Sequence, residues 1–254
     1  MKIHANLFFL LLMAQGAHAY EPLSCSAFSD LSQVSVEYSD DFYLDAATEK
    51  LSLEVSLRRG DVNVCRFEQR KQVNAPPVLE GVVYRFGERT INSWIEVDNG
   101  WLVSDKGKDG FSRLWWYSSN EVSKVFLGDY GVVKFHSVNG EIYATLGKHS
   151  IAKPNGIVRI TSGGEGGWVV ENFVTIVEPA TTSYFYTELN SFIVVAWGSV
   201  YQVTLSGEVT LWAEGVLRWL DINSVLAQDK YLYFGARGYV AKFDVTSKTI
   251  NFYK

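Results

Sequence analysis

Apolar and polar residues alternate with a period of two along most of this chain. Clear runs are Ser112-Arg113-Leu114-Trp115-Trp116-Tyr117, Gly156-Ile157-Val158-Arg159-Ile160, Val200-Tyr201-Gln202-Val203 and Tyr239-Val240-Ala241-Lys242-Phe243. A period of two marks strands with two unequal faces. The runs are rich in β-branched and aromatic residues, and no helical period appears beyond the N-terminal apolar stretch. The pattern predicts an all-β chain.

Each of these runs follows another strand that starts from a polar turn and ends near a glycine. Asn99-Gly100 precedes Trp101-Leu102-Val103, and Asn139-Gly140 precedes Ile142 to Leu146. Asn190 precedes Phe192 to Trp197, and Asp229-Lys230 precedes Tyr231 to Phe234. Asn-Gly is a strong hairpin signal because a type I′ turn needs positive φ at both central residues. A last strand then closes each unit: Val125-Phe126-Leu127, Trp168-Val169-Val170, Thr210-Leu211-Trp212 and Thr249-Ile250-Asn251-Phe252. With Phe126, Val169, Leu211 and Ile250 as equivalents, the steps are 43, 42 and 39 residues. The unit therefore recurs four times between about Ile91 and Lys254.

A β-only repeat of this length resembles the β-propeller superfamily, including WD40-like and NHL-like repeats, although the Gly-His and Trp-Asp dipeptides of true WD40 repeats are missing. The resemblance implies four-stranded blades stacked around an axis, because one sheet cannot bury both faces alone. Residues 87–254 supply four regular blades. Residues 20–86 supply an irregular first one, giving about five in a single domain. In that segment Leu51 to Arg58 and Val62 to Glu68 read as a hairpin around Arg59-Gly60-Asp61, while Val34 to Tyr38 and Phe42 to Leu44 read as shorter strands. Pro76-Pro77 marks the passage into the regular units. Closure is expected near the termini, by pairing of an early strand with the last blade. A β-sandwich or barrel with evenly spaced strands is the competing fold.

The first 19 residues have a different character. Lys2, the apolar run Leu7 to Met13 and Ala17-His18-Ala19 form the three parts of a secretory signal peptide, with a mature start expected at Tyr20. No later stretch is long and apolar enough to span a bilayer, so no membrane insertion is expected. The chain has two cysteines, Cys25 and Cys65, which an oxidising compartment would join. It contains no N-x-S/T sequon. Together these features point to a bacterial periplasm or the exterior. The net charge of −5 gives no general attraction for nucleic acid, and 47% hydrophobic residues exclude disorder.

Motifs that carry chemistry are scarce. Beyond the signal peptide the histidines are His136 and His149, neither in a ligand-spaced cluster, so neither a metal nor a cofactor is expected. Ser150-Ile151-Ala152-Lys153 matches S-x-x-K but runs into the turn Pro154-Asn155-Gly156, without the helix that motif needs. Gly163-Gly164-Glu165-Gly166-Gly167 reads as a hairpin tip. Asp40-Asp41 with Asp45 lacks a calcium-loop spacing and reads as a solvated turn or part of a partner surface. Carboxylates far apart in sequence could still meet at a channel mouth and act as a hydrolytic pair.

Aromatic residues are the most suggestive feature, at 15% of the chain. Most must be inter-sheet core, but strand ends can present rings to a partner. Trp115, Trp116, Tyr184 and Tyr186, with Asp40 and Asp41, are the candidate contacts. The expected function is a non-catalytic protein-binding module of the periplasm, in one version an inhibitor or immunity protein against a basic toxic enzyme. A carbohydrate-binding or carbohydrate-active protein and a scaffold subunit of an envelope assembly are the alternatives.

Overall fold

The computed structural model describes residues 24–34, 52–67, 79, 90–107, 111–120, 123–147, 155–163, 167–217 and 220–254. These residues form five antiparallel sheets: three of four strands, one of three and one of five. The all-β expectation is met, and the sheets are compatible with blades.

The first sheet holds β1 (Ser24–Ala27), β3 (Ser52–Arg58) and β4 (Asp61–Phe67), in the order β1-β4-β3. The second runs β5 (Thr90–Val97), β6 (Gly100–Lys106), β7 (Ser112–Ser118) and β8 (Lys124–Gly128). The third runs β9 (Val132–Val138), β10 (Glu141–Leu146), β11 (Gly156–Ser162) and β12 (Trp168–Thr175). The fourth runs β13 (Ala180–Tyr186), β14 (Ser191–Ala196), β15 (Val200–Thr204) and β16 (Val209–Ala213). The fifth runs β17 (Ser224–Gln228), β18 (Tyr231–Gly235), β19 (Val240–Asp244) and β20 (Ile250–Tyr253), and β2 (Gln33–Val34) adds to its outer edge. The early strand thus pairs with the last sheet as expected, with Gln33 opposite Tyr253 and Val34 opposite Phe252. Val34 therefore belongs to the fifth sheet. The expected strand at Phe42 to Leu44 and the Pro76-Pro77 passage lie outside the described residues.

Turn chemistry explains two of these hairpins. Arg59-Gly60 and Asn139-Gly140 have positive φ at both loop positions (55° and 88°, 53° and 81°), as a type I′ turn requires. The first Asn-Gly differs. Val97 pairs with Gly100, so the loop is Asp98-Asn99, and Gly100 opens β6. A Cβ on Gly100 would lie 1.9 Å from the carbonyl oxygen of Tyr117, so this glycine serves close backbone approach and not turn geometry.

Packing runs from sheet to sheet through the first strands. β5 packs on β9, β9 on β13, β13 on β17, and β17 with β18 on β3. Each junction has its own apolar cluster. Leu102 and Leu114 meet Leu146, Val158 and Ile160 between the second and third sheets. Phe192 meets Tyr143, Ile157 and Val174 between the third and fourth. Phe234 and Phe243 meet Ile193 and Val200 between the fourth and fifth, and Val240 meets Leu53 and Val64 between the fifth and first. On the far face of the second sheet, buried Leu79 packs with Val103 and Tyr117. Phe192 is fully buried, so losing a ring of this kind costs about 3–5 kcal/mol. The disulfide Cys25–Cys65 joins directly opposed residues of β1 and β4.

Candidate functional site

The second and third sheets separate at their hairpin ends into a cleft of about 670 Å³. One wall is the end of β5 and its turn, from Ile95 to Asn99. The other includes Ser137, Gly140, Glu141 and Ile142 from the β9-β10 hairpin, and Ile160, Thr161 and Ser162 from β11. Two indoles, Trp116 and Trp168, complete the lining.

Strand alternation puts Trp116 there. It shares a face of β7 with Leu114, and that face packs on the third sheet. Trp168 starts β12 opposite Ser162 and remains partly exposed. The buried indole Nε1 of Trp116 has no hydrogen-bond partner among the described residues.

Strand alternation turns the Glu141, Tyr143 and Arg159 side chains to the face of the third sheet that packs on the fourth. Glu141 accepts from the Tyr143 hydroxyl (2.6 Å) and lies 3.4 Å from the Arg159 guanidinium, which also reaches Glu171 at 2.9 Å. Desolvation, together with this Glu141 contact, pushes the Tyr143 pKa up to about 12. Glu96 pairs in register with Trp101, so its side chain lies on the face of β5 turned away from the third sheet; it and Asp98 are exposed, and among the described residues neither carboxylate has an ion pair or hydrogen bond. Among the described residues no lysine or arginine lines the cleft.

The other residues singled out from the sequence lie elsewhere. Trp115 points to the opposite face of β7, where its Nε1 donates to Asp105 Oδ1 at 3.2 Å and Lys124 Nζ sits 3.6 Å from its ring centre. Tyr184 and Tyr186 pack into the cluster between the fourth and fifth sheets. Tyr184 is partly buried. Tyr186 is buried, and its hydroxyl donates to the Asp229 carbonyl. Asp40, Asp41, His149 and Ser150 to Lys153 lie outside the described residues. Among the described residues no three His, Cys, Asp or Glu side chains cluster as metal ligands, and no helix is long and apolar enough to cross a membrane.

His136 and Ser183 meet at 2.7 Å, and Ser183 is also 2.7 Å from Thr145 Oγ1. Ser183 is 3% exposed, and no carboxylate bonds the imidazole among the described residues. Burial, reinforced by the Lys134 charge, holds the His136 pKa down at about 4. The group is a neutral polar bridge between β9 and β13, not an accessible nucleophile and base. Trp168 was not legible as a candidate. The repeat did carry one signal for Trp168: at its position relative to the fourth-strand marker the other units have Val125, Thr210 and Thr249.

No family model matches the chain, and no curated protein matches it. Among solved structures, it is similar to the computationally designed Ika4 protein at 14% identity and TM-score 0.38, covering 61% of this chain and 91% of that one. The designed Ika8 protein gives 13% identity and TM-score 0.37, over 65% of this chain and 45% of that one. The extracellular domain of a protein assigned as a one-component system in B. thetaiotaomicron gives 10% identity and TM-score 0.42, over 87% of this chain and 34% of that one. Likeness at these scores carries no argument about function.

Proposed function

We propose that this chain is an exported five-bladed β-propeller that recognises another protein, without catalysis, through the face that carries the Trp116–Trp168 cleft. The observation that carries the reading is the cleft itself: two indoles, Trp116 and Trp168, held at its wall between packed sheets. Aromatic side chains in a preformed recess supply the anchors that dominate protein interfaces, and a rigid scaffold lowers the entropic cost of binding. The five sheets in series and the β2-β20 pairing support a ring closed near the termini. The Cys25–Cys65 disulfide supports residence in the periplasm or outside the cell, reached through the signal peptide of residues 1–19.

In its most specific form the protein is an inhibitor or immunity protein that neutralises a basic toxic enzyme in the same compartment. Tagged mature protein, expressed in its native host, would be recovered and its mass in solution measured. A complex of defined stoichiometry with one enzyme, whose activity falls in proportion to the added protein, is the expected result. Recovery of the monomer alone under these conditions overturns the reading.

A second reading rests on one observation. The partly exposed Trp168 ring shares the cleft with Asn99, Ser137 and Ser162, a lining that suits stacking and hydrogen bonding of a sugar. Glycan binding abolished by Trp168→Ala would favour it.

A further inference from the structure

We infer that Asn139 is a site of spontaneous covalent modification, in which the backbone nitrogen of Gly140 closes on the Asn139 side chain and converts its amide to aspartyl and isoaspartyl products. This chemistry requires no partner.

The reaction needs an asparagine followed by a residue without a Cβ, because the main-chain nitrogen must reach the side-chain carbonyl carbon and a Cβ obstructs that approach. The Gly140 nitrogen gives its proton to a solvent base and bonds to Asn139 Cγ. The bond from Cγ to the side-chain nitrogen breaks, and that nitrogen leaves as ammonia with a proton from solvent. Water then opens the cyclic imide. Opening at Cγ restores the main chain as aspartate, and opening at the main-chain carbonyl leaves isoaspartate. No oxidant or reductant is consumed.

The chain has three Asn-Gly pairs, Asn99-Gly100, Asn139-Gly140 and Asn155-Gly156, and the strand ladders separate them. Val138 pairs with Glu141, so Asn139 and Gly140 stand outside the β9-β10 ladder. Both are exposed, with φ of 53° and 81°, and a Cβ on Gly140 would meet no atom within 4 Å. Among the described residues the Asn139 side chain has no hydrogen bond. The turn can therefore bring its nitrogen onto Cγ without opening a strand.

The other two pairs are held. Gly100 is buried and pairs with both Val97 and Ser118, while the Asn99 carbonyl accepts from Ser119 N at 2.8 Å. Gly156 is buried and pairs with both Leu146 and Thr175. Asn155 Nδ2 donates to the Val177 carbonyl at 3.3 Å, and the Asn155 carbonyl accepts from Ile176 N at 2.9 Å. Attack at either glycine must wait for a local opening of the sheet. Gly140 also lines the cleft, so the reaction puts a new carboxylate at the rim. The isoaspartyl product adds a carbon to the main chain of a turn whose two-residue length sets the register.

The test is peptide mass spectrometry of the mature protein held in mildly alkaline buffer, then digested with pepsin in acid so that digestion adds no conversion. Methyl transfer by an L-isoaspartyl methyltransferase reports the isoaspartyl product. Asn139 should gain acid at least about tenfold faster than Asn99 or Asn155, which wait for strand opening. In urea the three pairs should convert at similar rates. Gly140→Ala should slow conversion at Asn139 about tenfold by obstructing ring closure. Conversion at Asn139 no faster than at Asn99 or Asn155 in the folded protein overturns the inference. So does an Asn139 that reacts only in urea, or one whose rate Gly140→Ala leaves unchanged.

Discussion

His136 Nε2 lies 2.7 Å from Ser183 Oγ, and this contact joins the first strand of the third sheet to the first strand of the fourth. Its surroundings are aromatic: the Phe192 ring centre is 5.5 Å from the imidazole, in the middle of the cluster shared by the two sheets. The bridge favours a neutral imidazole, because a charged one would lose hydration through its partial burial and be repelled by Lys134.

A pH dependence of stability follows from that burial. The folded pKa of His136, about 4, lies below the ordinary histidine value of 6.5, so between these values the unfolded chain binds more protons. The contribution is fully present above pH 6.5 and is lost as pH falls towards 4. The wild type should lose about 2 kcal/mol between pH 6.5 and 4.5 from this group alone. His136→Gln, which can still hydrogen-bond Ser183, should be less stable at pH 7 but lack this extra loss. Urea unfolding of both proteins at the two pH values checks it; parallel losses would refute the assignment.

The two Asn-Gly positions should respond differently to alanine. Gly140→Ala meets no atom within 4 Å but places a Cβ at φ +81°, a strain of about 1 kcal/mol. Gly100→Ala drives its Cβ to 1.9 Å from the Tyr117 carbonyl oxygen, and β7 must move to relieve the clash. Its cost should be larger, about 2 kcal/mol or more. Denaturant midpoints of the two variants give the order directly.

The disulfide should stabilise the first sheet mainly by constraining the unfolded chain. Cys25 and Cys65 are 40 residues apart, and replacing both with serine should cost about 2–4 kcal/mol. Because the first sheet also packs on the fifth through Val240, Leu226 and Tyr233, the loss should be felt there too. Amide exchange of β17 and β18 should accelerate in the variant; unchanged exchange would show that the first sheet is not coupled to the fifth.

The strands were legible because their signals are local. Phe126, Val169 and Leu211 keep the phase of the repeat although each is about half exposed, at 50, 47 and 46%. The outer strands they mark have one face in solvent, so the rhythm reflects strand and turn lengths more than burial. The turn at Asp98-Asn99 was misplaced by one residue because Asn-Gly is a strong local signal, and only the register of β5 on β6 shows Gly100 inside a strand. Gln33–Val34 is too short a strand to advertise its partner, and its place beside β20 is a long-range fact. The cleft was not legible for the same reason. Ile95, Trp116, Ile142 and Trp168 come from four strands of two sheets, and only the packing of those sheets brings them together.

The claim that the cleft is the recognition surface is tested most directly by amide hydrogen exchange of the mature protein, free and bound to the protein it captures. The account predicts protection on binding at residues 95–99, 137–142 and 160–162 and at Trp168, the two walls of the cleft. Protection confined to the outer strands or to the fourth and fifth sheets, with the cleft exchanging as in the free protein, would contradict it.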